Sequence, residues 1–290
     1  MNEMPLGPLM VDVPGTTLTD ADKALLCRPA VGGVILFARN FESKDQLRGL
    51  TAEIKTLRTP SLLVAVDQEG GRIQRFKDGF FELPAAAEIG NTYNVDVQKG
   101  VALARGLGEL MAGELLALGV DFSFAPVLDI GGGDSEVIGD RAFHANPESV
   151  AVLAGAFIDG MGDAGMAATG KHFPGHGGVS EDSHECLPVD NRGMDDLLAA
   201  DLLPYRDLST RLGGIMTAHV RYPQIDTALP SYSYYWLQTV LRKNLGFEGA
   251  IFSDDLSMAG AEIGGQPGAR AVKAITAGCD MVLVCNDRES

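Results

Sequence analysis

The sequence predicts a parallel β/α protein closed as a (β/α)8 barrel, on three observations. Eight short runs rich in apolar and β-branched residues alternate with stretches patterned as helices. Most of these runs are apolar on both faces, as strands covered by helices on one side and a packed interior on the other must be. No GxGxxG turn follows the first run, which counts against the alternative, a doubly wound open sheet.

Taken in order, residues 8–13 form the first expected strand, and Thr19 caps a helix through Leu26. Residues 31–37 (VGGVILF) form the second, followed by an amphipathic helix over 43–57 that Pro60 keeps from continuing. The third strand is 62–67 (LLVAVD); after a longer insertion comes a Leu/Ala-rich helix over 96–118. The fourth is 122–130 (FSFAPVLDI), and Asn146 with Pro147 supplies the cap and first turn of the next helix. Residues 167–173 make the fifth strand, 194–203 a helix and 214–220 (GIMTAHV) the sixth strand. A helix over 233–245 ends at Gly246, a residue suited to the left-handed position after a helix. The seventh strand is 249–253 (GAIFS), then a helix over 267–277, then the eighth strand over 280–284. The chain stops at Ser290, so the reading is of one barrel domain over 1–290, C-terminally incomplete and lacking its final helix.

Composition narrows the function. A hydrophobic share of 46% describes a globular chain with a sizeable core, and a net charge of −16 argues against nucleic acid and anionic membrane surfaces as partners. The first residues lack a basic stretch followed by a long apolar one, and no run approaches a membrane span. Cys27, Cys186, Cys279 and Cys285 are scattered, without CxxC pairs, which fits a reducing compartment. A cytoplasmic location follows as the expectation.

The polar residues then fall at the C-terminal ends of strands, where such barrels keep their chemistry. Asp67 ends strand three, with Glu69, Arg72 and Arg75 beyond it. Asp129 ends strand four, and its long loop carries Asp140, Arg141 and His144. Lys171 and His172 end strand five, His219 strand six, and Asp254 with Asp255 strand seven. The stretch 171–190, KHFPGHGGVSEDSHECLPVD, adds His176 and His184, which places every histidine of the chain on one rim. Carboxylates, guanidinium groups and imidazoles with few aromatics suit a small hydroxyl-rich ligand. For glycoside hydrolysis Asp254, on a rigid strand end, is the nucleophile candidate, and Asp255 serves structure. Asp182 can hold one ring nitrogen of His184 and leave the other to protonate a leaving oxygen. His176 supports the loop rather than reacts.

These residues closely resemble glycoside hydrolase family 3, and within it the bacterial β-N-acetylglucosaminidases of the NagZ type. The resemblance is carried by GPLMVDVPG, GGVILFARN, VDQEGGRIQRF, VIGDRAFH, the 171–190 stretch, IMTAHVRYP and LGFEGAIFSDDLSM, in order across nearly the whole chain. It implies a retaining double displacement with Asp254 as nucleophile, His184 as general acid/base and Asp182 as its partner. It implies sugar binding by Asp67, Arg75, Arg141, Lys171 and His172, without metal or cofactor. The implied substrate is a terminal β-linked N-acetylglucosamine, in Gram-negative relatives that of a 1,6-anhydro-muropeptide met in cell-wall recycling. A monomer is expected. A His/Asp dyad departs from the two-carboxylate rule, so carboxyl spacing does not foretell stereochemistry here. Two rivals stand beside this reading. One is a metal-dependent barrel hydrolase built on the histidines, disfavoured because strand one reads MVDVPG without an HxH. The other is a sugar-binding barrel without catalysis, which would need neither the nucleophile nor the dyad.

Overall fold

A computed structural model describes residues 5–133, 135–180, 183 and 186–286. In chain order the elements are β1 (Leu9–Val11), α1 (Asp20–Leu26), β2 (Val31–Leu36), α2 (Lys44–Thr56), β3 (Leu63–Val66), the short strands β4 (Gln68–Gly70) and β5 (Ile73–Gln74), then α3 (Ala86–Val95) and α4 (Val97–Leu116). They continue with β6 (Phe122–Ser123), α5 (Pro147–Asp163), β7 (Thr169–Phe173), α6 (Met194–Ala199), α7 (Leu202–Leu208) and β8 (Gly214–Thr217). A helix over Tyr235–Asn244, β9 (Ala250–Asp255), α8 (Pro267–Ala277) and β10 (Met281–Val284) complete the described chain.

Eight strands pair side by side in the order β6-β3-β2-β1-β10-β9-β8-β7, and every pairing in this sheet is parallel. The two outer strands meet as well. Thr169 N–H donates to Ala125 O at 2.9 Å and Leu128 N–H to Lys171 O at 2.6 Å, which joins β7 to the chain after β6 and closes the barrel. Eight strands leave an interior that side chains must fill. Phe122, Phe124 and Phe252 meet there with centroids 5.1 to 5.7 Å apart. Gly214 makes room for them, since a Cβ at that position would lie 2.9 Å from the Phe252 ring.

The helices start where the expected caps stand. Thr19 and Asp22 form a reciprocal capping box, and Ser43, Asp96 and Asn146 each accept a backbone N–H from the first turn of the helix they precede. Several elements differ from expectation. Strand four is regular only over Phe122–Ser123; beyond it Phe124 N–H still donates to Val66 O at 2.9 Å, and Pro126, which has no N–H, interrupts the regular ladder before Val127 bridges to Lys171. The insertion after β3 contains the β4–β5 hairpin and helix α3. The helix expected over 194–203 ends at Ala199, and a second one starts at Leu202, with Pro204 in its first turn, where a missing N–H costs little. The Tyr235–Asn244 helix is wound wide, with Leu245 N–H reaching back to Val240 O. Strand seven runs on to Asp255, so both aspartates belong to β9 itself. Among the described residues no helix is long and apolar enough to cross a membrane.

Candidate active site

At the C-terminal end of the barrel lies a cavity of about 200 Å³, lined by Asp67, Glu69, Arg141, Lys171, His172 and Asp254 among others. That volume lies below the roughly 300–1,000 Å³ of pockets for drug-sized ligands, which suits one pyranose ring. Ile35, Met216 and Leu283 also line it, so one part of the cavity is apolar.

The polar wall is a chain of alternating charges. After β3 the backbone turns back at Gly70 (φ 114°) and Gly71 (φ 54°), conformations that glycine adopts without Cβ strain. The hairpin is stapled by Gln68, whose side-chain oxygen accepts the Arg75 and Phe76 N–H groups at 2.9 and 3.0 Å. This brings Glu69 over the barrel mouth. There its carboxylate takes a bidentate pair of bonds from Arg141, both 2.8 Å, and lies 2.6 Å from Lys171 Nζ. Lys171 also donates to Asp67 at 2.7 Å, and Arg75 stands 3.8 Å from the same carboxylate. Burial opposes the charge on Glu69, yet Arg141 and Lys171 hold its carboxyl well below the ordinary range. Burial likewise opposes the charge on Lys171, and Asp67 and Glu69 overcome it and push its pKa up.

Behind this wall sits Asp129, fully buried. Its carboxylate is 2.7 Å from His172 Nδ1 and accepts the His176 N–H at 2.7 Å. Burial opposes its charge too, but His172 and His176 keep its pKa lowered, so it is ionised and can only accept. The proton between them therefore belongs to His172 Nδ1. That leaves Nε2 towards the cavity, with Arg141 Nη2 3.5 Å away.

Across the cavity stands Asp254. Its Oδ1 accepts the N–H of Asp255 at 2.8 Å. Asp255 is built differently: its carboxylate accepts the Ser257 and Cys285 N–H groups at 3.0 and 3.1 Å. Burial raises its pKa against those bonds. It serves the backbone, as expected from the sequence.

The structure thus brings together Asp67, Arg75, Arg141, Lys171, His172 and Asp254. Asp182 and His184 lie outside the described residues. Ser183 between them is described and buried: its hydroxyl is 3.1 Å from His176 Nε2, and its carbonyl accepts the Gly260 N–H at 2.9 Å. Burial and the neighbouring His172 lower the pKa of His176, which keeps that ring neutral in its supporting place. The expectation of every described histidine on one rim does not hold for His144. Its Nδ1 accepts the Asn146 N–H and its Nε2 faces Asn94 Oδ1, both at 2.9 Å, so it ties α3 to the loop before α5. His219 is buried beneath the rim, outside the cavity lining. Sequence reasoning underrated Glu69 and Asp129, which hold the cavity-lining cations and imidazole. A signal was available: Lys171, Arg141 and Arg75 together require buried counter-charges. Among the described residues no group of three or more His, Cys, Asp or Glu side chains is arranged to hold a metal ion.

Comparison with known proteins agrees with this geometry. Residues 8–290 match the family described as glycosyl hydrolase family 3 N terminal domain. The chain is 60% identical over 287 residues to a β-hexosaminidase of Thioalkalivibrio sulfidiphilus, covering 99% of this chain and 82% of that one. It is 57% identical to a β-hexosaminidase of Alkalilimnicola ehrlichii, with 99% and 83% covered. Among solved structures, NagZ from Neisseria gonorrhoeae in complex with N-trifluoroacetyl-D-glucosamine superposes with a TM-score of 0.94 at 49% identity, over 99% of this chain and 83% of that one.

Proposed function

The chain belongs to glycoside hydrolase family 3 and is a glycoside hydrolase of the β-hexosaminidase kind, and on that premise we propose that it releases terminal β-linked N-acetylglucosamine by a retaining double displacement. The observation that carries this reading is the placement of Asp254 on a strand end across one cavity from the Asp67–Lys171–Glu69–Arg141 chain. Asp254 attacks the anomeric carbon and forms a covalent glycosyl-enzyme. His184, oriented by Asp182, protonates the departing glycosidic oxygen, then takes a proton from the water that releases the sugar. Lys171, Arg141 and Arg75 donate to ring hydroxyls, Asp67 accepts from them, and His172 offers Nε2, its tautomer set by Asp129. These contacts hold C1 in line with Asp254 Oδ as positive charge develops at the ring.

A cavity the size of one ring supports exo action, with the leaving group outside. The gonococcal relative's N-trifluoroacetyl-D-glucosamine complex supports a 2-acylamino sugar. The physiological substrate in this reading is a 1,6-anhydro-muropeptide from peptidoglycan recycling, hydrolysed in the cytoplasm by a monomer.

The test compares p-nitrophenyl β-N-acetylglucosaminide with a natural disaccharide. Asp254→Ala abolishes turnover of both. His184→Ala slows the disaccharide far more, because p-nitrophenolate leaves without protonation. Equal losses on the two substrates remove His184 from the acid role, and an active Asp254→Ala refutes the nucleophile.

A further inference from the structure

The buried imidazole of His219 has no part in the chemistry above, yet it reaches the tip of the strand that carries Asp254. Its Nε2 lies 3.1 Å from the carbonyl oxygen of Asp255. A carbonyl only accepts, so Nε2 carries the proton. Its Nδ1 lies 3.3 Å from Ser231 Oγ, and Ser231 Oγ lies 2.7 Å from Thr217 Oγ1. Thr217, His219 and Ser231 are all fully buried.

The location of this relay gives it meaning. β8 pairs with β9 at Gly214–Ala250, Ile215–Ile251 and Met216–Phe252, and the ladder stops there. Residues 253–255 of β9 therefore extend past the last backbone pairing on that side. On the opposite side β10 continues alongside, with Leu283 paired to Asp255 and Cys285 N–H bonded to the Asp255 carboxylate. The His219 ring supplies the missing link on the β8 side. Asp255 is thus held from both neighbours, and its N–H donates to Asp254 Oδ1 at 2.8 Å.

We propose that His219, backed by Ser231 and Thr217, is a positioning residue for the nucleophile, setting the attack direction of Asp254 through the backbone of Asp255. The inference rests on Asp254 being the nucleophile. Without the link, the Asp255 carbonyl keeps the Met258 N–H of its own turn at 3.2 Å but loses its tie to the β8 side, and the Asp254 carboxylate turns with it. A misplacement of under an ångström at a nucleophile slows attack on the order of tenfold to a hundredfold.

The test measures covalent labelling by a 5-fluoro N-acetylglucosaminyl fluoride, followed by mass spectrometry of the labelled peptide. Its rate constant reports attack by correctly folded molecules, whatever fraction is misfolded. His219→Leu labels on the order of tenfold or more slower, whereas His219→Gln, which keeps a donor towards the Asp255 carbonyl, recovers most of the rate. Wild-type rates in His219→Leu overturn the proposal, as does a His219→Gln variant as slow as His219→Leu, which would make the ring a mere space filler. Should His219→Leu not fold, Ser231→Ala decides: slowed labelling supports the relay and an unchanged rate overturns it. Label on a residue other than Asp254 in the wild-type protein refutes the nucleophile assignment itself, a failure separate from the others.

Discussion

Glu69→Gln removes a buried charge that faces two cations at once. Lys171 keeps Asp67 at 2.7 Å, but Arg141 is left with the Val137 carbonyl at 3.2 Å and the His172 ring at 3.5 Å. The Arg141 side chain is only 10% exposed, so water does not replace the lost carboxylate. Removing one partner of such a pair costs about 3–5 kcal/mol, and the glutamine oxygen, which still accepts one bond, puts this case near about 3. Domains of a few hundred residues lose roughly 2–4 °C of Tm per kcal/mol, giving a fall of roughly 6–12 °C. Urea unfolding and a thermal scan of the variant measure both figures. The double variant Glu69→Gln with Arg141→Met supplies the sharper arm. It removes both charges together and leaves Lys171 with Asp67, so it should be less destabilised than the sum of the two single variants. A Glu69→Gln protein within about 1 kcal/mol of wild type, or strict additivity in the double variant, would refute the argument that charge balance holds this wall.

Two further outcomes follow from the same geometry. His176 has a lowered pKa in the folded state, through burial first and His172 second, so the unfolded chain binds its proton more readily. Stability from this group is present above the unfolded value near about 6.5 and falls as pH drops below it, by at most about 1.4 kcal/mol per pH unit. Urea titrations at a series of pH values should show this slope in wild type and a shallower one in His176→Gln; parallel curves would place the proton elsewhere. Gly177→Ala sets a Cβ 2.0 Å from the Ile130 carbonyl oxygen, backbone against backbone, and should cost about 1–3 kcal/mol of stability by the same urea assay. An unperturbed Gly177→Ala protein would mean that the two loops part readily.

How much of this was legible in the sequence depended on the range of the interaction. Strand ends and capped helix starts are local, and Asp67, Lys171, His172 and Asp254 were placed on the rim from a few neighbouring residues each. The pairing of those groups is not local. Glu69 meets Arg141 across 72 residues and Asp129 meets His172 across 43, and the chain between them carries no mark of which charge faces which. The hairpin that lifts Glu69 over the mouth was also hidden, because its stapling residue, Gln68, looks from sequence like any polar side chain after a strand. The barrel itself supplies the missing information. Closing eight parallel strands puts β3, β7 and the loop after β6 around one opening, and burial there leaves no water to solvate Lys171 or Arg141. Each of those cations then requires a carboxylate within hydrogen-bond reach, and Asp67 at the end of β3 and Glu69 on the hairpin after it are those acids. The acids are therefore required to keep the cations ionised, and ionised cations are what a hydroxyl-rich ligand needs as donors. In the proposed function, stability of the wall and affinity for sugar rest on the same bonds, so a variant that breaks the balance should lose both together.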